Sequence, residues 1–183
     1  MMLRNFACIV LMSGLLLGCE ATETALPKPE ALTEMASGTY CGMTLTEHAG
    51  PKAQVFEKGR DEAIWFTAVR DALAYRLLPG EGQSIVTIYV HDMGEAVSWE
   101  KPQRDGIWIA ADTAYYVVGS DRRGGMGMPE VVPFGSALKA AEFSKIHGGD
   151  VVAYNDVPTE YLFPELDDEE ETVVSATDKK EVQ

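Results

Sequence analysis

Basic residues are scarce in this chain of 183 residues, which has 15 lysines and arginines against 29 aspartates and glutamates. The formal net charge of -14 argues against nucleic acid and anionic lipid surfaces as partners, because both attract positively charged proteins. The charge is compatible with a soluble fold and with cationic partners. The hydrophobic fraction of 46% is ordinary for a globular protein and suffices for one domain or two small lobes.

Cysteine is also rare, with only Cys8, Cys19 and Cys41 present. Two of the three belong to an N-terminal segment in which Arg4 precedes an apolar run from Phe6 to Gly18. That run covers about 13 residues, whereas a membrane-spanning helix needs about 20. The pattern therefore predicts a secretory signal rather than a membrane span.

The signal ends in Leu16-Leu17-Gly18-Cys19, which resembles a bacterial lipobox, where the signal is cleaved before a cysteine that becomes acylated. Ordinary signal cleavage beside an incidental cysteine is the alternative. Removal of Cys8 and acylation of Cys19 leave Cys41 as the sole free thiol, so no intramolecular disulfide can form. A lone thiol in an oxidising compartment needs protection by burial or by a metal.

Two common enzyme signatures are missing. The glycine-rich loop Gly119–Pro129 lacks a Gly-Lys-Ser/Thr ending and does not open a helix, which excludes a phosphate-cradling nucleotide site. No Ser-His-Asp arrangement or pair of carboxylates stands out, so an enzyme would need Cys41 as a nucleophile with a histidine base.

Cys41 and Met43 lie two residues apart in a segment, Tyr40–Leu45, that the pattern predicts to be a strand, so their side chains should leave the same face. A thiolate and a thioether suit a soft metal, Cu(I) above all, whereas zinc seldom uses methionine. His48 is close enough to complete a set of ligands. The alternative is a buried cysteine beside a core methionine.

Four further side chains are candidate donors: Met126, Met128, His91 and Met93. Met126 and Met128 lie among the glycines of the loop, where little core is available, so they are soft ligands or an adaptable contact surface, or one of them fills a cleft. His91 ends a strand beside Met93 and is either a ligand or a hydrogen-bonded residue at a strand end.

The order of elements repeats, which predicts an α+β fold of two similar lobes, each strand-strand-helix-strand. The first half predicts strands at Tyr40–Leu45 and Lys52–Phe56, a helix from Asp61 to about Leu78, and a strand at Ser84–Val90. The second half predicts strand material in Ile107–Val118, a strand at Glu130–Phe134, a helix at Ala137–Ile146, and a strand at Asp150–Tyr154.

We therefore divide the chain into five parts: a signal peptide at 1–18, a flexible tether at 19–37, a first lobe at 38–95, a second lobe at 96–164, and a tail at 165–183. The tether is polar with two prolines. The tail is acidic and poor in large apolar residues, which predicts disorder.

Taken together, the motifs resemble the NosL family, the lipoprotein copper chaperones that serve nitrous oxide reductase assembly. They follow one another from about residue 40 to 157: Cys41-Gly42-Met43, His48-Ala49-Gly50-Pro51-Lys52, Tyr89-Val90-His91-Asp92-Met93-Gly94, Trp99-Glu100-Lys101-Pro102, Ala114-Tyr115-Tyr116-Val117-Val118-Gly119-Ser120, Gly125-Met126-Gly127 and His147-Gly148-Gly149.

The resemblance implies a two-lobed fold like that of organomercury lyase, without enzymatic activity. It also implies Cu(I) held by Cys41 and Met43, with Met126 the best third candidate, and handed to the reductase through a membrane-bound maturation complex. Gly38 stands where some relatives have a further cysteine, so a site with two thiols is unavailable. The acidic tail replaces a histidine-rich one found in other relatives.

The sequence thus predicts a lipid-anchored carrier of Cu(I) that faces the periplasm. Glu20 after the acylated cysteine, in place of an aspartate, favours the outer membrane. The alternatives are a Cys41-dependent enzyme related to organomercury lyase and a structural envelope lipoprotein.

Overall fold

The structure is a computed structural model that describes residues 25–102 and 106–163. Its first sheet has the strand order β2-β1-β3-β4, and all neighbouring strands are antiparallel. A short helix, α1, follows β2 and precedes β3. The bounds are β1 Ala53–Glu57, β2 Ile64–Phe66, α1 Val69–Tyr75, β3 Ile85–His91 and β4 Trp108–Ala110.

The second sheet has the order β6-β5-β7, again antiparallel, and a helix, α2, connects β6 to β7. A final short helix, α3, packs near α1. The bounds are β5 Tyr115–Val118, β6 Val132–Phe134, α2 Ala137–His147, β7 Asp150–Ala153 and α3 Thr159–Leu162. Each sheet places its first strand between the second and third, with the helix after the second. This arrangement confirms the predicted α+β fold of two strand-strand-helix-strand lobes.

One hydrophobic core joins the two lobes. Val55 and Leu73 of the first lobe belong to the same buried cluster as Tyr116 and Val131 of the second. All four side chains are fully inaccessible to solvent. Burial of this much apolar surface favours a fixed orientation of the lobes, so loops from either lobe can contribute to one site.

Two of the predicted elements are wrong. Tyr40–Leu45 is a turn followed by a 3-10 helix at Leu45–Glu47, rather than a strand. The predicted helix from Asp61 begins instead at Val69, because Ile64–Phe66 pairs with β1 as a strand. Large aromatic and β-branched side chains favour a pleated, half-buried surface, which explains this outcome.

The division between the sheets also differs from the expected boundary at residue 95, because β4 adds to the edge of the first sheet through pairing with β3. Part of the predicted tether is packed on that sheet. Gln54 exchanges two hydrogen bonds with the backbone of Glu30, and Leu32 is 5% exposed. The signal peptide, Cys19 and the acidic tail lie outside the described residues. None of the helices in the described ranges is long and apolar enough to cross a membrane.

Candidate metal centre

Cys41 lies in a tight turn that is attached to the edge of β2. The amide of Gly42 donates to the carbonyl of Gly38 at 2.8 Å, and the amide of Gly38 donates to the carbonyl of Met43 at 2.9 Å. Gly42 has φ +65, a left-handed conformation that costs other residues about 1 kcal/mol or more. Because this segment is a turn, the strand argument that placed Cys41 and Met43 on one face does not hold.

The Cys41 thiol is free and half-buried. Its sulfur lies 3.6 Å from the hydroxyl of Thr67, the buried residue that directly follows β2. The sequence does not single out Thr67, because its contact with Cys41 joins two segments that are 26 positions apart in the chain. The hydrogen-bonding partner of Cys41 is therefore a hydroxyl rather than the histidine base that a cysteine nucleophile requires.

Cys41 and Met126 line the same cavity, which has a volume of about 170 Å³. Its walls are mainly apolar, with the rings of Tyr40, Trp65 and Phe66 contributing. The Met126 side chain is 43% exposed, so the cavity is open to solvent on its side. A thiol and a thioether from opposite lobes are thus brought together in an apolar cleft that is accessible from outside.

The loop between β5 and β6 positions Met126 through close contacts that only glycine permits. A Cβ atom at Gly125 would lie 2.9 Å from the carbonyl oxygen of Thr67 and 3.0 Å from Cβ of His48. The loop closes on itself, because the amide of Gly124 donates to the carbonyl of Met128 at 2.9 Å. The missing side chain at Gly125 therefore lets the loop rest directly on the residue that contacts Cys41.

A buried carboxyl group, that of Glu130, packs against the Met126 loop and accepts hydrogen bonds from the backbone beside it. Glu130 is inaccessible to solvent, and its Oε1 accepts hydrogen bonds from the amides of Arg70 at 3.0 Å and Val131 at 2.9 Å. Burial raises the pKa of Glu130 to about 8, although the two backbone amides oppose the change. A Cβ at Gly124 would collide with Oε2 of Glu130. The start of α1 and the Met126 loop are thus held by one side chain, which the sequence analysis did not identify.

The structure places the other candidate donors apart from this cavity. Met43 is half-buried in the Cys41 turn, and Met128, 42% exposed, lies on the same loop as Met126, but neither lines the cavity. His48 is half-buried and lines a neighbouring cavity. Met93 packs against an apolar cluster of the second lobe.

His91 is fully buried at the end of β3, with its ring centroid 4.0 Å from that of Trp108. Burial, and then the nearby charge of Lys52, lower the pKa of His91 to about 3, so its ring is neutral. Neither ring nitrogen has a hydrogen-bond partner within the described part of the chain. His91 is therefore available as a neutral donor only to something that enters the protein interior.

No group of three or more His, Cys, Asp or Glu side chains in residues 25–102 and 106–163 is arranged to hold a metal ion. The soft donors that line one cavity are the thiol of Cys41 and the thioether of Met126, and Asp71 lines the same cavity. Sulfur donors in an apolar cleft fit a soft monovalent ion such as Cu(I) and fit hard cations poorly.

The comparison with known proteins assigns the family. The NosL family model matches residues 29–162. A copper-binding lipoprotein NosL from Achromobacter cycloclastes is 46% identical over 154 residues, which are 84% of this chain and 79% of that protein. A second, from Stutzerimonas stutzeri, is 36% identical over 151 residues, 81% of this chain and 76% of that protein. The crystal structure of the copper chaperone NosL from Shewanella denitrificans superposes with a TM-score of 0.67 at 29% identity, covering 71% of this chain and 95% of that one. The chain therefore belongs to the NosL family.

Proposed function

We propose that this protein is a Cu(I)-binding lipoprotein that carries copper for assembly of the copper centre of nitrous oxide reductase. The observation that carries the proposal is the shared cavity of Cys41 and Met126. A thiolate and a thioether hold Cu(I) well and satisfy Cu(II) poorly, which would set the oxidation state of the cargo. The names of the relatives, copper-binding lipoprotein and copper chaperone, support the same cargo.

Cys41 and Met126 would be two ligands. Met43, which lies in the same turn as Cys41 but does not line the cavity, would have to rotate toward the ion to be the third. The aromatic walls would shield the ion from water on their side of the cavity and so favour retention of the metal. The exposed side of Met126 leaves an edge where ligands of a partner can approach. Copper would then pass by stepwise exchange, with each ligand of the donor replaced in turn by one of the acceptor.

The acceptor would be the reductase, reached through its membrane-bound maturation complex, with the carrier anchored by a lipid on Cys19 and facing the periplasm from the outer membrane. Lipoprotein relatives support a location in the cell envelope. Several acyl chains on one cysteine would give a stable anchor, since a single chain binds membranes only marginally.

The binding test is an anaerobic Cu(I) titration against a coloured chelator. Cys41→Ser should weaken binding at least a hundredfold, on the order of the loss expected when a metal site loses its main anionic donor, and Met126→Ala about tenfold. Met35→Ala is the matched control, because Met35 is 88% exposed and lies outside the cavity. Equal affinity of Cys41→Ser and the native protein would refute the assignment of the site.

Delivery is tested separately by restoring activity to copper-depleted nitrous oxide reductase. The copper-loaded native protein, mixed with the maturation complex in vesicles, should restore nitrous oxide reduction, whereas loaded Met35→Ala should match it and Cys41→Ser should not. Tight binding of Cu(I) with no transfer to the reductase would keep the metal site and overturn the proposed partner.

A further inference from the structure

A second cavity, of about 240 Å³, lies beside the 3-10 helix Leu45–Glu47 and is lined by positively charged side chains. Lys52 contributes to it from a fully buried position, with 1% of the residue exposed, and Lys101 contributes from an exposed one. No aspartate or glutamate is among its described lining residues. The chain as a whole is strongly acidic, with a net charge of -14, whereas the charged side chains that line this cavity are positive.

The ammonium group of Lys52 has one donor to spare. Its Nζ donates to the carbonyl oxygens of Ala49 at 2.9 Å and Gly50 at 2.6 Å, whereas an ammonium carries three N–H groups. No ion pair joins Lys52 or Lys101 to a carboxylate among the residues that the structure describes. Burial lowers the pKa of Lys52 to about 8, although the charge of Glu130 opposes the change. A buried positive charge with no carboxylate in ion-pair contact is costly, and an anion in the cavity would offset part of that cost.

The remaining lining is mixed, with the apolar Leu32, Leu45 and Pro102 on one part of the wall and the polar Thr46 and His48 on the other. Leu32 and Leu45 are core residues that are 5% and 0% exposed, and Pro102 completes the apolar part of the lining. The hydroxyl of Thr46, which also lines the cavity, donates to Glu34 at 3.1 Å. A ligand matched to this lining has one anionic end and a short apolar body.

We propose that this cavity binds a small organic carboxylate, with Lys52 donating to the carboxylate and the leucines contacting the apolar body. The cavity is smaller than the range of about 300–1,000 Å³ that is typical of sites for drug-sized ligands, which restricts the body to a few carbon atoms. A carboxylate fits better than phosphate, because phosphate would leave the apolar walls unmatched. The proposal does not depend on copper binding.

The test uses the metal-free protein and butyrate, with butyramide as a neutral ligand of the same shape. Backbone amide shifts of residues 45–50 and 52 are followed by NMR during titration. Butyrate should give saturable shifts with a millimolar dissociation constant, a free energy of about -4 kcal/mol. Butyramide should bind about tenfold more weakly, because it cannot form the charge-assisted hydrogen bond.

Variants locate the binding. Lys52→Met should abolish the shifts, and Lys101→Gln should weaken binding about threefold, as expected for an exposed charge. Lys145→Gln, at an exposed position of α2 outside the cavity, removes the same charge and should leave butyrate binding unchanged. Since Lys52 also holds two backbone carbonyls, Lys101→Gln decides the outcome if Lys52→Met does not fold.

Three results would overturn the proposal. Equal affinity for butyrate and butyramide would show that the ammonium group is not used. Saturable binding of inorganic phosphate in place of butyrate would show that no apolar body is recognised. Unchanged butyrate affinity in Lys101→Gln, or no shifts from butyrate up to about 50 mM, would exclude a carboxylate site of the expected strength.

Discussion

Replacing Glu130 with glutamine should remove a loss of stability that the native protein undergoes as the pH rises from about 5 to about 8. Burial raises the pKa of this carboxyl group from its ordinary value of 4.5 to about 8 in the folded protein. The folded protein therefore retains a proton over a range in which the unfolded chain releases it. A pKa raised on folding gives stability that is complete below the unfolded value and disappears as the pH rises through the folded value.

The size of the effect follows from that interval. From 4.5 to 8, at about 1.4 kcal/mol for each pH unit, the upper bound is about 5 kcal/mol. Relaxation of the site and entry of water reduce it, so we expect about 2–4 kcal/mol between pH 5 and pH 8. Glutamine is a close match, because its amide oxygen can accept the same bonds from the amides of Arg70 and Val131.

The assay is urea unfolding of both proteins at intervals across this pH range. The quantity of interest is the difference in free energy of unfolding between the native protein and Glu130→Gln, since other ionisable groups cancel in it. Glu142→Gln provides the control, because Glu142 is exposed on α2. If the native and Glu130→Gln stabilities change in parallel with pH, Glu130 does not hold a proton in the fold, and the reasoning from its burial is refuted.

Three other substitutions test the packing of the Cys41 turn, of the 3-10 helix Leu45–Glu47 and of the Met126 loop. Gly42→Ala places a side chain at φ +65 and should cost about 1–2 kcal/mol of stability in urea unfolding. Leu45→Ala removes a side chain that is 0% exposed and should cost about 2–5 kcal/mol in the same assay. Gly124→Ala should collide with Glu130, displace the Met126 loop and weaken Cu(I) binding about fivefold or more in chelator competition.

Each of these has a distinct contradicting outcome. A Gly42→Ala protein as stable as the native one would mean that the Cys41 turn adopts another conformation. If Leu45→Ala lowers the free energy of unfolding by less than about 1 kcal/mol, water already occupies the space around Leu45 or neighbouring side chains fill the cavity that the substitution leaves. Native copper affinity in Gly124→Ala would show that the loop moves without disturbing Met126, so that the glycine contacts do not position the ligand.

The two-lobed fold was predictable because strand and helix patterns repeat in the two halves of the chain. Most strands and the second helix were expected close to their observed bounds. The first lobe was less regular, because Tyr40–Leu45 contains a glycine that bends the chain while Ile64–Phe66 gains a strand only by pairing with β1. Local pattern could not decide between these two segments, since the pairing is a tertiary contact.

The candidate site was predictable only in part. The residue types around Cys41 indicated a soft metal, but no pattern places Cys41 beside Met126, which lies about 85 positions later in the chain. Contacts between distant segments also place Trp108 against the ring of His91 and bury Glu130. These features follow from packing, which a single sequence does not display.

The origin of Cys41 and Met126 in different lobes has a thermodynamic consequence. In the unfolded chain, joining these two sulfur atoms would require closure of a loop of about 85 residues, with an entropic cost that the folded protein has already met. Copper would therefore bind the folded form in preference to the unfolded one and raise the free energy of unfolding, by about 2.7 kcal/mol when free metal exceeds its dissociation constant a hundredfold. The same linkage runs in reverse: a partner that pulls the Met126 loop away from the Cys41 turn would lower the affinity for the ion, so that docking itself would promote release.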